Sequence, residues 1–154
     1  MIVKAVPNLI IDVTRLDDGW PELSIDPPVH AALAEVDAPH LGELSVVLSD
    51  DEAVQDLNRR FRDRDKPTNV LSFPMPPGSG LMGDVVLARQ TIAREAAEQG
   101  KTFEHHFTHL LIHGVLHLQG FDHQTDAQAA DMEAREVRAL ARLSIDNPYS
   151  SDRG

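Results

Sequence analysis

Hydrophobic residues in the first two thirds of the chain form short, β-branched runs that predict strands. Four such runs occupy residues 8–13, 44–48, 68–73 and 81–88. Pro74 closes the third run, and the proline- and glycine-rich residues 75–80 predict a loop before the fourth. That loop is either a flap over a site or a plain connection, and the pattern does not distinguish the two.

Apolar residues that recur at steps of three and four predict helices between and after these strands. The five predicted helices run from residue 27 to about 36, from 50 to about 62, from about 90 to 99, from 103 to about 118 and from 126 to about 142. Prolines suit the first turn of the first helix. Gly100 ends the third, and Thr102 and Thr125 can cap the fourth and fifth.

The second predicted helix carries two detailed expectations. Ser49 followed three residues later by Glu52 predicts a capping box in which the serine is the N-cap. Val54, Leu57 and Phe61 recur at the spacing of a buried helix face, so we expect all three to pack inward.

Strands come early and helices late, which predicts an α+β domain with a small mixed sheet covered by helices. Residues 1–146 are long enough to form one domain with its own core, and residues 147–154 predict a short polar tail that frays. The chain has no cysteine and no apolar run near the roughly 20 residues of a membrane span. We expect a cytoplasmic protein with no signal peptide and no membrane partner.

The charge of the chain is unevenly distributed. The net charge is −11, which argues against a nucleic-acid partner at first. Residues 1–56 account for −10 of it and residues 57–154 for −1. Between residues 59 and 66 five cations face two aspartates: Arg59, Arg60, Arg62, Arg64 and Lys66. This segment is either a basic patch for an RNA backbone or a solvated helix end.

Three histidines at spacings of four and six predict a metal site: His113, His117 and His123. Residues i and i+4 share one face of a helix, so the first two imidazoles can reach one ion. Gly120 can end the helix in the left-handed conformation and return His123 to that ion. Three neutral nitrogens with an open fourth position are typical of catalytic zinc, although imidazole also suits nickel, copper and iron. The histidines at 105–106 are expected at the surface.

The histidine spacing matches the HExxHxxGxxH pattern of metzincin proteases except at one position. Gly114 stands where that pattern has the glutamate that acts as general base. A protease of that mechanism would lack its base, so the spacing predicts a three-histidine centre used for other chemistry.

Four further polar residues have two interpretations each. Asp84 and Asp122 could hold a ligand imidazole by its free N–H, or they could be a strand-end aspartate and a loop side chain bonded to its own backbone. Ser72 could position a phosphate or simply face the polar side of a strand. His109 could support the site or be a satisfied core histidine, and we favour the latter.

Four motifs combine into a specific pattern that spans roughly half the chain. They are Leu-Asn at 57–58, FRxRDKPTNVLSFP at 61–74, Gly-Asp at 83–84 and HGxLHLxGxDH at 113–123. Their order and intervening lengths resemble the YbeY family of bacterial endoribonucleases. The acidic N-terminal third lies outside the well-matched region.

The resemblance implies a single-domain, zincin-like α+β protein with one Zn²⁺ held by His113, His117 and His123. It also implies cleavage of single-stranded RNA, maturation of the 16S rRNA 3′ end, and work in ribosome biogenesis and quality control beside the small ribosomal subunit and its proteins. No DNA partner is expected. Arg62 matches the arginine that acts in catalysis in the family. Asn69 stands where many members have aspartate, so we assign it no catalytic role.

The chemistry of such a site leaves two routes and two rival functions open. Zinc-bound hydroxide could attack the phosphodiester, or it could deprotonate the RNA 2′-hydroxyl, while the fork of Arg62 stabilises charge on the phosphorus oxygens. The rivals are a zinc-stabilised ribosome assembly factor without turnover and, with Gly114 against it, a metalloprotease.

Overall fold

The computed structural model of the chain describes residues 9–66, 68–76 and 78–149. Within them, strands and helices follow in the order β1 (Ile10–Arg15), α1 (Asp26–Leu33), β2 (Glu43–Ser49), α2 (Asp51–Arg62), β3 (Val70–Pro74), β4 (Leu81–Ala88), α3 (Arg89–Gln99), α4 (Phe103–Leu118) and α5 (Asp126–Arg142). The predicted α+β class is confirmed.

The strands form one mixed sheet in the order β1-β2-β4-β3. β2 runs parallel to β1 and to β4, and β3 runs antiparallel to β4. Parallel neighbours need a crossover connection, which α1 supplies between β1 and β2. The loop predicted at residues 75–80 joins the antiparallel pair β3 and β4.

Both faces of the central strand β4 are buried, because its alternate residues enter different clusters. Val85 and Leu87 belong to the large core that α1, α4 and α5 share. Val86 and Ala88 belong to a smaller cluster with Val54 of α2. Helices therefore cover both faces of the sheet at β4, whereas the edge strand β1 is mostly exposed. The pattern predicted that helices cover the sheet but did not predict on which faces.

Helix α4 lies unusually close to β4 at Gly114. A Cβ built on this glycine would sit 2.8 Å from Cγ1 of Val85 and 3.2 Å from Oγ of Ser72, which is too close for ordinary packing. The glutamate of the metzincin pattern therefore has no space at this position. The same close approach sets the depth at which α4 carries its histidines over the sheet.

Two expectations about α2 are wrong. Its N-cap is Asp50, which accepts a hydrogen bond from the backbone N–H of Ala53 at 2.8 Å. Ser49 is held as the last residue of β2 by pairing with Ala88, so it cannot take the cap position. Phe61 does not pack inward: it is 65% exposed, because the last turn of α2 contacts the edge strand β3 and no described strand lies beyond it.

The other predicted bounds differ from the observed ones by a few residues, as is usual at element ends. β1 begins at residue 10 and extends to 15, and β3 begins at 70 instead of 68. Residue 8 of the first predicted strand, residue 77 of the predicted loop and residues 150–154 of the predicted tail lie outside the described residues.

Candidate metal centre

The three predicted ligands come together at the end of α4. His113 and His117 lie one turn apart on the helix, and His123 lies on the loop that follows it. One nitrogen from each lies within 4.8 Å of the others. The ring centroids are 4.6 Å apart for His113 and His117, 5.1 Å for His117 and His123, and 5.4 Å for His113 and His123. A cluster of this size can hold one metal ion.

The turn after α4 returns the chain as predicted. Gly120 has a φ of +98°, a conformation that favours glycine. The backbone N–H of Phe121 then donates to the carbonyl of Leu116 at 3.1 Å, which closes the helix end. Thr125 caps α5 as predicted, in a capping box with Gln128, so the loop that carries His123 is held at both ends.

The central imidazole of the cluster is neutral at physiological pH. Burial lowers the pKa of His117 to about 4, with the neighbouring His113 and His123 lowering it further and Asp122 opposing them. A neutral imidazole keeps a lone pair for a metal ion. The three imidazoles lie close enough together for one metal ion to bind all of them.

A buried glutamate of α5, which sequence reasoning missed, supports the cluster. Glu136 is 1% exposed. Its Oε2 lies 2.5 Å from Nδ1 of His113, and its Oε1 lies 2.8 Å from Nε2 of His109 and also accepts from the hydroxyl of Tyr149. Burial raises the pKa of Glu136, but the two histidine hydrogen bonds outweigh it and lower that pKa to about 2.

The ionised Glu136 decides which nitrogen of His113 can bind a metal. A carboxylate has only acceptors, so Nδ1 of His113 must donate and Nε2 is left with its lone pair. Tyr149 keeps its proton as a donor, because burial and the charge of Glu136 raise its pKa. Tyr149 belongs to the segment predicted as a fraying tail, yet its hydroxyl is tied to this network.

One sequence signal could have revealed Glu136. The buried stripe of α5 contains Met132, Glu136 and Leu140 at steps of four. Glutamate is almost never fully buried unless it is paired, so a glutamate in the middle of an apolar stripe indicates a buried partner.

The remaining histidines of α4 divide between surface and core. His105 is exposed, as expected. The expectation for His106 is wrong: it is 4% exposed, and its Nε2 lies 2.8 Å from Glu95, because α3 packs on α4 there. His109 combines its two interpretations, since it is a buried histidine that is hydrogen-bonded to the same carboxylate as His113.

The histidine cluster opens into a cleft of about 1410 Å³ that Arg62 also lines. The guanidinium of Arg62 donates to the backbone carbonyl of Ser72 at 2.7 Å and lies 5.7 Å from the centre of the Phe73 ring. The hydroxyl of Ser72 donates to the carbonyl of Gly114 at 3.3 Å, so it faces α4. The predicted arginine and the predicted ligands thus share one cleft.

The basic segment at residues 59–66, which begins in the last turn of α2, divides into two parts. Arg59 and Arg60 both pair with Asp56 on the exposed face of the helix. Arg64 and Lys66 line the cleft instead. Buried Asn58 holds the turn that carries Arg64 and Lys66. Its backbone carbonyl accepts from the backbone N–H of Arg64 at 3.2 Å, and its side-chain amide donates to the backbone carbonyl of Lys66 at 3.0 Å.

The cleft is more basic than the whole chain. Besides the three histidines, its ionisable lining comprises the acidic Glu95 and Asp122 and the cationic Arg62, Arg64, Lys66 and Arg94. Such a surface favours an anionic ligand even on a protein of net charge −11.

The two aspartates considered as imidazole partners take other positions. Asp122 accepts from the backbone N–H of His123 at 2.8 Å, which is the loop interpretation. Asp84 lies in β4 opposite Phe73, where burial raises its pKa, and it is absent from the described lining of the cleft.

Fold and site together define an α+β domain with a three-histidine cluster that could hold a metal ion at the end of helix α4. The chain belongs to the Endoribonuclease YbeY family, whose model matches residues 23–144. No helix within the described ranges combines the length and apolar character needed to cross a membrane.

Curated relatives match over most of their length. A protein named Endoribonuclease YbeY from Chelativorans sp. (strain BNC1) is 44% identical over 94% of this chain and 95% of its own. Relatives of the same name from Magnetococcus marinus and Paramagnetospirillum magneticum are 49% and 55% identical, over 88% and 77% of this chain and 95% and 78% of their own. The solution structure of TM1509 from Thermotoga maritima shares the fold, with a TM-score of 0.53 and 21% identity over 94% of this chain and 99% of that one.

Proposed function

We propose that the chain is a zinc-dependent, single-strand-specific endoribonuclease that matures the 3′ end of 16S rRNA in ribosome biogenesis and quality control. The observation that carries the proposal is the shared cleft of Arg62 and the three histidines. Membership of the Endoribonuclease YbeY family supports the activity. On this proposal residues 1–146 act as one catalytic domain with a short tail at 147–154, in the cytoplasm, beside the small ribosomal subunit and its proteins.

The donor set fits a zinc ion. His113, His117 and His123 supply three imidazoles within 4.8 Å of one another, and the carboxylate of Glu136 leaves Nε2 of His113 available. Three histidines with a free fourth position are a familiar catalytic zinc environment. We therefore propose one Zn²⁺ per chain, with the identity of the metal to be decided by titration against other divalent ions.

The residues of the cleft have separate roles in this mechanism. Bound zinc supplies activation of a water molecule and polarisation of a phosphoryl oxygen. Arg62 stabilises the negative charge that grows on the phosphorus oxygens as the bond breaks, since a guanidinium has five N–H donors and only one is engaged by the Ser72 carbonyl.

The other cations that line the cleft hold the RNA in position through its backbone. Arg64, Lys66 and Arg94 can neutralise flanking phosphates, which contributes sequence-independent affinity. Binding should therefore weaken as salt concentration rises. Contacts to the phosphates alone also leave the bases of a single RNA strand free to contact side chains.

The nucleophile is either water or the 2′-hydroxyl of the RNA. Analysis of product ends separates the two, because attack by the 2′-hydroxyl yields a cyclic phosphate. A 5′-phosphate product instead identifies water as the nucleophile.

The decisive experiment measures cleavage of a single-stranded 16S rRNA 3′-precursor fragment by zinc-loaded protein. We expect His117→Ala to bind zinc more weakly and to lose cleavage, and Arg62→Ala to keep its zinc while cleaving roughly 10²–10³-fold more slowly. Arg59→Ala is the matched control, because Arg59 pairs with Asp56 on the same helix outside the cleft. It should cleave like wild type.

Equal cleavage by all four proteins would mean that the activity comes from a contaminant. Co-sedimentation of wild type with small subunits, without any cleavage, would favour the zinc-stabilised assembly factor. Turnover of casein instead of RNA would favour a protease, against which the tight packing at Gly114 already argues.

A further inference from the structure

One large aromatic side chain is exposed at the cleft. Phe61 is 65% exposed, although it lies at the spacing of a buried helix face. It lines the same cleft as Arg62 and the three histidines. Two aliphatic side chains are about as exposed, Ile10 and Leu16 at 62% each, but they lie on or beside β1 and are absent from the described lining of the cleft.

The ring of Phe61 is held in place although it is exposed. It meets the ring of Phe73 edge to face, with centroids 5.8 Å apart and planes at 73°. The guanidinium of Arg60 lies 6.0 Å from its centroid. The guanidinium of Arg62 in turn lies 5.7 Å from the centroid of the Phe73 ring. A ring fixed by neighbours loses little conformational freedom when a ligand covers it.

Aromatic rings interleaved with cations are the surface on which single-stranded nucleic acids bind. Bases stack on the rings, and phosphates pair with the neighbouring cations. Phe61 stands between Arg60 and Arg62 in the chain, and Arg64 and Lys66 line the cleft next to it. A small apolar ligand would not need these cations, and a phosphate alone would not need the ring.

We propose that Phe61 is a base-stacking platform that binds one unpaired nucleobase of an RNA strand held in the cleft. The inference rests on the proposed endoribonuclease function and adds to it a physical cause for single-strand selection. A base in a duplex is already stacked on its neighbours and cannot lie on the ring, whereas an unpaired base can. Phe61 on this account is a substrate-positioning residue and takes no part in bond breaking.

The test compares binding affinities when the Phe61 ring is removed from the protein, when the bases are removed from the oligonucleotide, and when both are removed. Zinc-loaded wild type, Phe61→Ala, Phe61→Trp and Leu16→Ala are titrated against a short single-stranded 2′-O-methyl oligonucleotide and against an abasic oligonucleotide of equal length. Fluorescence anisotropy reports affinity, a gel shows that each oligonucleotide stays intact, and zinc content and circular dichroism show that each variant is loaded and folded. Leu16→Ala removes a side chain of similar exposure that is absent from the described lining of the cleft.

We expect Phe61→Ala to bind the oligonucleotide that has bases about 5- to 100-fold more weakly than wild type, and the abasic one equally well. Phe61→Trp should bind as tightly as wild type or more tightly, and Leu16→Ala should match wild type on both.

Loss of affinity for both oligonucleotides alike would overturn the stacking platform, because the ring would then act through the fold. Unchanged affinity of Phe61→Ala for both would also overturn it and would point to a protein contact at Phe61, while RNA cleavage by the same preparation would leave the proposed function standing. Failure of wild type both to bind RNA and to cleave it would remove the proposed function itself.

Discussion

Two buried glutamates tie α5 to the rest of the molecule, and their partners differ in kind. Glu35 is 9% exposed and accepts from Arg138 at 2.7 Å and Arg142 at 3.0 Å. Glu136 is 1% exposed, and among the described residues its side-chain partners are His109, His113 and Tyr149, with no guanidinium.

The difference shows how the same residue type can serve stability or a site. Arginine is always charged, so the pairs of Glu35 compensate its charge without depending on any ligand. The partners of Glu136 are two imidazoles and a phenol, and one of them, His113, belongs to the three rings that could bind a metal ion, so the buried carboxylate lies next to a candidate cation site. A cation bound by those rings would complete its compensation. Glu35 therefore belongs to the fold and Glu136 to the metal centre.

The largest expected effect comes from removing the charge of Glu136. In Glu136→Gln the group facing Nδ1 of His113 is neutral, so the ring is held less firmly with Nε2 towards the metal. Loss of such a supporting partner typically weakens metal binding about 10- to 100-fold. Competition for zinc with a chelating dye measures it, with Glu35→Gln as the matched buried-glutamate control. Equal affinity in wild type and both variants would remove the distinction between the two glutamates.

The next effect concerns the depth of α4 on the sheet. Gly114→Ala places a Cβ 2.8 Å from Val85 and 3.2 Å from the Ser72 hydroxyl, so helix or strand must shift. We expect a loss of about 1–2 kcal/mol in the free energy of unfolding, which chemical denaturation measures. Because His113 moves with α4 relative to Glu136, zinc affinity should fall as well. A variant as stable as wild type, with the same zinc affinity, would contradict the close packing.

Glu35→Gln should cost stability alone. Both arginine partners are more than half exposed, at 56% and 51%, so water screens the pairs. We expect a loss of about 1 kcal/mol in the free energy of unfolding and no change in zinc affinity. Denaturation of metal-free and zinc-loaded samples checks both parts. A variant that binds zinc more weakly would show that Glu35 also serves the site.

The smallest expected effect is the pH dependence of the stability that Glu35→Gln loses. Burial raises the pKa of Glu35, but its hydrogen bonds from Arg138 and Arg142 outweigh burial and set that pKa below the ordinary value of 4.5. A carboxyl whose pKa is lowered by folding contributes stability above its unfolded pKa and loses it as pH falls through the folded one. The difference in stability between wild type and Glu35→Gln should therefore be full at neutral pH and shrink below about pH 4.5. A difference that is constant across this range would contradict the assignment.

Sequence spacing predicted those features of the site that depend only on residues close together in the chain. The helical step from His113 to His117, the left-handed Gly120 and the cap at Thr125 are local features, and together they bring His123 to the cluster. Glu136 depends on the docking of α5 against α4, across 23 residues from His113, which no local rule contains.

Phe61 shows the opposite failure. The spacing identified its helix face correctly, since Val54 on that face is buried. Spacing cannot tell whether a partner lies opposite every turn of the face, and at the last turn of α2 the sheet has reached its edge strand. Both failures, a buried carboxylate and an exposed ring, lie at the candidate site. Local rules and tertiary structure often disagree at functional sites.

The central claim is that His113, His117 and His123 form one zinc centre, and X-ray absorption at the zinc edge tests it most directly. Protein stripped of metal and reloaded with one equivalent of zinc should show three imidazole nitrogens at about 2.0–2.1 Å and one further light atom. In His117→Ala the imidazole contribution should fall to two, with weaker binding. A spectrum without imidazole scattering, or one that His117→Ala leaves unchanged, would contradict the account.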